Sequence, residues 1–205
     1  MIDRRNFMIG VAFGVPTLLV ALTAGRGAEA RLDQAEQFVR DLVDTAIDIL
    51  KLPEAATAER KAGIERLLDT RFDLPTITKL VLGRYWRKAT PNQKRGFATA
   101  FRIHIIKVYN SQLGLYDDQI VNIKQVTPLN ETDTVIFTEI AQEDGPPLRI
   151  DWRVRNKGGQ MRVVDVAAEG VSMVTTKRSE YRSVLAREGL DSLIARLEEL
   201  NNQPE

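Results

Sequence analysis

Residues 148–155 read Leu-Arg-Ile-Asp-Trp-Arg-Val-Arg. Leu148, Ile150, Trp152 and Val154 fall on even positions, Arg149, Asp151, Arg153 and Arg155 on odd ones. A period of two belongs to a β-strand, whose successive side chains leave opposite faces. One dry face and one wet face describe an antiparallel sheet covered on one side only. Residues 120–126, 133–141 and 161–168 read as strands as well. Asn130-Glu131-Thr132-Asp133, Asp144-Gly145-Pro146 and Lys157-Gly158-Gly159 separate the four as turns. Short turns between consecutive strands make a meander.

Helical periods flank the meander. Ala35, Phe38, Val39, Leu42, Val43, Ala46, Ile47 and Leu50 recur at three- and four-residue steps over 32–52, and Pro53 ends the run. A shorter helix is expected over 57–69. In Phe72-Asp73-Leu74-Pro75, Asp73 is a cap and Pro75 a first-turn residue for a helix ending at Gly83. Thr90-Pro91-Asn92-Gln93 has the form of a capping box and opens a long helix to about residue 113. Its stripe is Phe97, Ala100, Phe101, His104, Ile105, Val108 and Tyr109. The strands begin after Tyr116-Asp117-Asp118, and helices return over 179–188 and 191–200. Helices, four strands, helices is an α+β order, in which the N- and C-terminal helices must cover the apolar face of a twisted antiparallel sheet.

The first 30 residues read differently. Arg4 and Arg5 precede a charge-free run from Phe7 to Gly25, and Ala28-Glu29-Ala30 offers a small-x-small cleavage site. This is the layout of an export signal, and paired arginines with Phe7 resemble the twin-arginine type. An uncleaved anchor is the competing reading, since about 20 apolar residues reach across a bilayer; Gly10, Gly14 and Pro16 weaken such a helix. The expectation is a signal over 1–30 and a single periplasmic domain over 31–205. Three of the 29 cations and two of the 28 anions lie in the signal, leaving 26 of each. A balanced chain has no field to gather a polyanion, so nucleic acid is not an expected partner. Cysteine is absent, and a domain of this length can bury a core without disulfides.

Catalytic readings find little support. His104 is the only histidine, and Phe101, Ile105 and Val108 surround it on the helix, as for a packed core or rim residue. One histidine and no cysteine leave no nitrogen–sulfur metal set and imply no cofactor. Gly170-Val171-Ser172-Met173-Val174 lacks the last glycine of a nucleophile elbow. Lys157-Gly158-Gly159 is a hairpin turn rather than a phosphate loop, because no helix start follows it. An enzyme would have to use His104 with Asp151 or Asp165. An envelope adaptor would need only a solid core. Periodicity shows which residues point inward; it does not show whether they leave a cavity.

Two signatures carry a resemblance, and the first begins at Thr70-Arg71-Phe72-Asp73. Gly83-Arg84-Tyr85-Trp86-Arg87-Lys88-Ala89-Thr90-Pro91-Asn92-Gln93 precedes Phe97-Ala98-Thr99-Ala100-Phe101. Val163-Val164-Asp165-Val166 leads into Glu169-Gly170-Val171-Ser172-Met173-Val174, then Tyr181. Together they resemble the MlaC, or toluene-tolerance auxiliary, family, with Asn92, Lys177, Glu180 and Tyr181 departing from its pattern. The resemblance implies a periplasmic carrier with no catalytic residue, holding the apolar part of a phospholipid, or of a hopanoid in one branch, in a pocket between sheet and helices. It implies two partners: an inner-membrane ABC transporter with an MCE-domain subunit, and an outer-membrane lipoprotein–porin complex. The inward residues expected to line the pocket are Leu80, Phe97, Phe101, Ile105, Val135, Phe137, Ile150, Trp152, Met173 and Tyr181.

Overall fold

The alternation centred on Trp152 is realised as β3 (Leu148–Lys157) in a computed structural model that describes residues 20–112, 120–142 and 144–203. β1 (Val121–Pro128), β2 (Asp133–Ile140), β3 and β4 (Gln160–Ala168) form an antiparallel meander in chain order. A two-residue β5 (Val171–Ser172) pairs with Ala167 and Ala168, so the sheet has five strands where the sequence showed four. Two residues are too few for any period to be visible. The β3–β4 hairpin turns on Gly158 and Gly159, with φ of 61° and 83°. Both central residues of such a turn sit in the left-handed region that glycine tolerates.

Among the described residues seven α-helices accompany the sheet: α1 (Val20–Leu50), α2 (Thr57–Arg71), α3 (Leu74–Leu82), α4 (Arg84–Lys88), α5 (Pro91–Gln112), α6 (Met173–Arg187) and α7 (Gly189–Asn202). The capping readings hold atom by atom. Asp73 Oδ1 accepts from Thr76 N at 3.0 Å. Thr90 and Gln93 exchange the two bonds of a capping box at 3.0 and 3.2 Å. Three boundaries differ from the sequence reading. α1 begins twelve residues before the expected 32, since the alanines at 21, 24, 28 and 30 favour continuing the helix. Residues 84–88, expected as a connector, form the short α4. α6 begins at Met173 instead of 179, started by Ser172, whose Oγ accepts from Thr175 N at 3.1 Å. The period change at Tyr116-Asp117-Asp118 and residues 1–19, the larger part of the expected 1–30 export signal, lie outside the described residues.

The core has two main parts. In one, Ala35, Val39 and Leu42 of α1 pack on Ile136, Val154 and Val163 of the sheet. In the other, α3, α5, α6 and α7 close around Val81, Leu82, Phe97, Tyr181, Leu185 and Leu197, with Tyr85 and Trp86 packed at its margin. α2 bridges them, with Ile64 and Leu68 against Ile106 of α5.

The register corrects one inference. Val135 pairs with Arg153 and Phe137 with Asp151, whereas Ile136 pairs with Trp152. Directly opposite residues share a face. Val135 and Phe137 therefore lie on the charged face, and Thr134, Ile136 and Thr138 face α1. Hydrophobicity pointed the other way because two of the inward residues are threonines. Thr138 is fully buried yet satisfied: its Oγ1 donates to Ile150 O at 2.8 Å and accepts from Trp152 Nε1 at 3.1 Å.

Candidate binding cavity

Where the α1–sheet layer meets the helical core, side chains do not fill the space, and two adjoining apolar lobes remain. The first, about 480 Å³ including its mouth, is walled by Leu74, Ile77 and Val81 of α3, Phe101 and Ile105 of α5, and Met173, Val174 and Lys177 of α6. The second, about 680 Å³ on the same measure, lies between Leu42, Ala46, Ile49 and Leu50 of α1 and Ile64 and Leu67 of α2, with Trp152 on the sheet side. Leu68, Phe72 and Val166 line both lobes and form the partition between them.

Local sequence fixes the partition. After α2 the chain straightens at Phe72 (φ −108°, ψ 143°) and bridges to Val163 of β4, with Asp73 N donating to Val163 O at 2.9 Å. Asp73 then caps α3, so the side chain of Phe72 is held between a sheet bridge and a helix start. At the far side, a Cβ added to Gly63 would lie 2.9 Å from Ile49 Cγ1. Glycine here lets α2 approach α1 closely, beside the second lobe.

Polar groups in the walls are spent internally. Trp152 is held by Thr138. Asp165 accepts from Ser172 Oγ at 2.5 Å and from Val174 N at 3.2 Å, closing the first turn of α6. Both lobes thus present a mainly apolar inner surface. The exception is Lys177, whose Nζ meets Glu180 Oε2 at 2.8 Å, with the lysine side chain 24% exposed and the glutamate 47%.

The residues of the alternative catalytic pairing are engaged or placed apart from one another. His104 is half-buried, its Nδ1 has no hydrogen-bond partner, and neither a hydrogen bond nor an ion pair joins it to Asp151 or Asp165. Burial, and then the charge of Lys177, hold its pKa below the ordinary histidine value. Asp151 is on the charged sheet face, 3.4 Å from Arg149, with its pKa raised by burial. Ser172 is a helix cap whose nearest acid is Asp165, with no imidazole between them. Among the described residues no three His, Cys, Asp or Glu side chains gather to hold a metal.

Of the ten residues expected to line the pocket, Phe101, Ile105 and Met173 wall the first lobe and Trp152 the second. Phe97 and Tyr181 are instead locked in the helical core, stacked or edge-on with each other and with Phe101 at 5.5–6.5 Å, and Leu80 packs against them. Ile150 is on the inner sheet face opposite Thr138, outside both lobes. Val135 and Phe137 lie on the other face. The reading missed Phe72, Leu68 and Val166, the partition itself. Phe72 stands in the capping sequence 72–75 and in the family-like run Thr70–Asp73, and neither pattern tells that its ring lines a cavity.

With this geometry, comparison with known proteins is informative. Residues 40–199 match the sequence model of the MlaC protein family. The chain belongs to the MlaC family. It is 29% identical over 128 residues to the intermembrane phospholipid transport system binding protein MlaC of Haemophilus influenzae, 60% of each chain. It is 22% identical over 130 residues to the toluene tolerance protein ttg2D of Pseudomonas putida, covering 63% of this chain and 60% of that one. The chain thus spans about 60% of the length of both curated relatives. Its fold is shared with a phospholipid-binding protein of Ralstonia solanacearum solved in complex with a phospholipid. The TM-score is 0.71 at 24% identity, over 80% of this chain and 95% of that one. Both family-like segments fall inside the matched span. The second, β4 through α6, supplies Asp165, Val166, Met173, Val174 and Lys177 to the first lobe.

Proposed function

We propose that the protein is a non-catalytic carrier that takes the acyl chains of a phospholipid into the two lobes and moves the lipid between membranes. The observation that carries this reading is a two-lobed apolar cavity whose wall polar groups are already paired. At about 0.8 kcal/mol per CH₂, two tails of about 15 carbons would cost roughly 24 kcal/mol bare in water. A dry cavity offsets that cost without any reactive group. The names of the relatives, and the phospholipid bound by the structural neighbour, support the same substrate class.

The reading places the mature chain in the periplasm, cut after Ala30. Gly27, Glu29 and Ala30 are exposed, Arg31 Nη1 donates to Glu131 O, and Ala35 is the first fully buried residue among those described. A cut there leaves the packed part of α1 intact. No described helix is long and apolar enough to cross a membrane. The carrier would exchange lipid with an inner-membrane ABC transporter bearing an MCE-domain subunit and with an outer-membrane lipoprotein–porin complex.

The deciding experiment is gentle purification of the exported protein, then native mass spectrometry and lipid extraction. The expected result is co-purified phospholipid at about one molecule per chain, and uptake of lipid from vesicles by delipidated protein. A hopanoid in the extract would keep the carrier and change its cargo. Protein that is lipid-free and takes none from vesicles would end the proposal.

A further inference from the structure

We infer that Lys177 binds the phosphate of the lipid headgroup at the mouth of the first lobe, and so selects phosphate-bearing lipids over uncharged ones. This rests on the carrier reading and names the specificity determinant of the same cavity.

Lys177 is the one cation in the walls of the two apolar lobes among the described residues. Its stem lies along the first lobe while its head reaches the surface, as long amphipathic side chains do. A lipid whose tails fill the lobes brings its polar end to the mouth, where this ammonium waits. The other groups nearby are committed. Arg178 donates through Nε and Nη2 to Leu80 O, and Lys107 donates to the carbonyls of Leu200 and Gln203 at the end of α7. Two first-turn amides of α6 are also taken, Val174 N by Asp165 and Thr175 N by Ser172. Of the cations named, Lys177 is the one whose partner is an exposed side chain.

The present partner of Lys177 is easily exchanged. Glu180 is 47% exposed, one turn along the same helix, and such surface pairs contribute little. A phosphate dianion or diester offers a charge-assisted bond of greater strength, delivered at high local concentration by the buried tails. Glu180 then turns to solvent at small cost. Asp165, the acid in the same wall, has both oxygens engaged and does not compete for the ammonium.

The test compares wild type, Lys177→Met and Lys177→Arg, each delipidated, on vesicles containing phosphatidylglycerol and diacylglycerol with matched acyl chains. Lipid bound per chain is read by mass spectrometry, and circular dichroism confirms the fold. Wild type and Lys177→Arg are expected to prefer the phospholipid. Lys177→Met is expected to lose that preference by roughly tenfold or more, the scale of one charge-assisted hydrogen bond, read as the ratio of the two lipids bound. An unchanged ratio in Lys177→Met would leave the carrier standing and overturn the role of Lys177. Absence of uptake of either lipid by wild type would overturn both. Inorganic phosphate alone raising the melting temperature in a Lys177-dependent way would assign the site to the free ion and overturn the headgroup assignment.

Discussion

α5 passes through two regions built from similar residues and packed to opposite ends. Its first half puts Phe97 into the helical core, where it stacks on Phe101 at 5.5 Å and meets Tyr181 edge-on at 6.2 Å, with no exposed surface. Two turns further, Ile105 packs at the margin of the core and also lines the first lobe. Phe101 belongs to both, one edge in the aromatic trio and another on the cavity wall. The helical core is closed by partners that follow one another in sequence, α6 and α7 joined at Gly189. The cavity lies where two layers are held by separate anchors: α1 on the sheet, and Phe72 on β4. Neither anchor draws the layers together between them. A void survives where the chain's tethers, rather than its side chains, set the spacing.

Denaturation and lipid loading test this contrast. Phe97→Ala should cost about 3–5 kcal/mol, the range for emptying a packed aromatic site. Phe72→Ala, at the partition, should cost less than half as much in chemical denaturation, because part of its surroundings is already empty. Equal losses would refute the distinction between the two regions. Thr138→Val removes the acceptor of Trp152 Nε1 and should cost about 1–2 kcal/mol, with a shift in tryptophan fluorescence.

Ala46→Phe fills the second lobe. Stability should change by less than about 1 kcal/mol, while lipid taken from vesicles falls or moves to single-chain species. A large loss of stability instead would show that the lobe is packed in solution. Tyr181→Phe should stabilise by up to about 1 kcal/mol, since the Tyr181 hydroxyl is buried without a partner and burial pushes its pKa up. The smallest effect concerns acid. The pKa of His104 is held below the ordinary value of about 6.5, so the stability from its neutral form is present above that pH and is lost as pH falls through the lowered value. Melting temperature should drop between pH 7.5 and 5.5, and His104→Gln should flatten that slope. Asp133 acts in a separate, lower window. Arg155 and Arg153 hold its pKa well below the carboxylate range, so its contribution persists until pH falls below about 4.

Sequence was most informative where structure is local. The alternation of 148–155, the capping box at Thr90 and the Asp73 cap each need only a few neighbouring residues, and each formed as read. The α6 start at Ser172 was missed because its cap is completed by Asp165, seven residues back and across a turn. Val135 and Phe137 misled for a related reason. Their face is settled by pairing with β3, and a buried Thr138 that finds two partners there scores as polar in any one-dimensional pattern.

What the amino-acid order settled is therefore the α+β class, the meander, the capped helices and the inward stripes, because periodicity and capping are properties of consecutive residues. The same order held the family-like segments that the comparison places within MlaC. What only the tertiary structure decided is which inward side chains meet a neighbour and which meet empty space. Phe97 and Ile105 occupy the same stripe, eight residues apart. Their difference is made by the distance between layers, which is fixed at Phe72, Val163 and the α1–sheet contact, far from either in the chain.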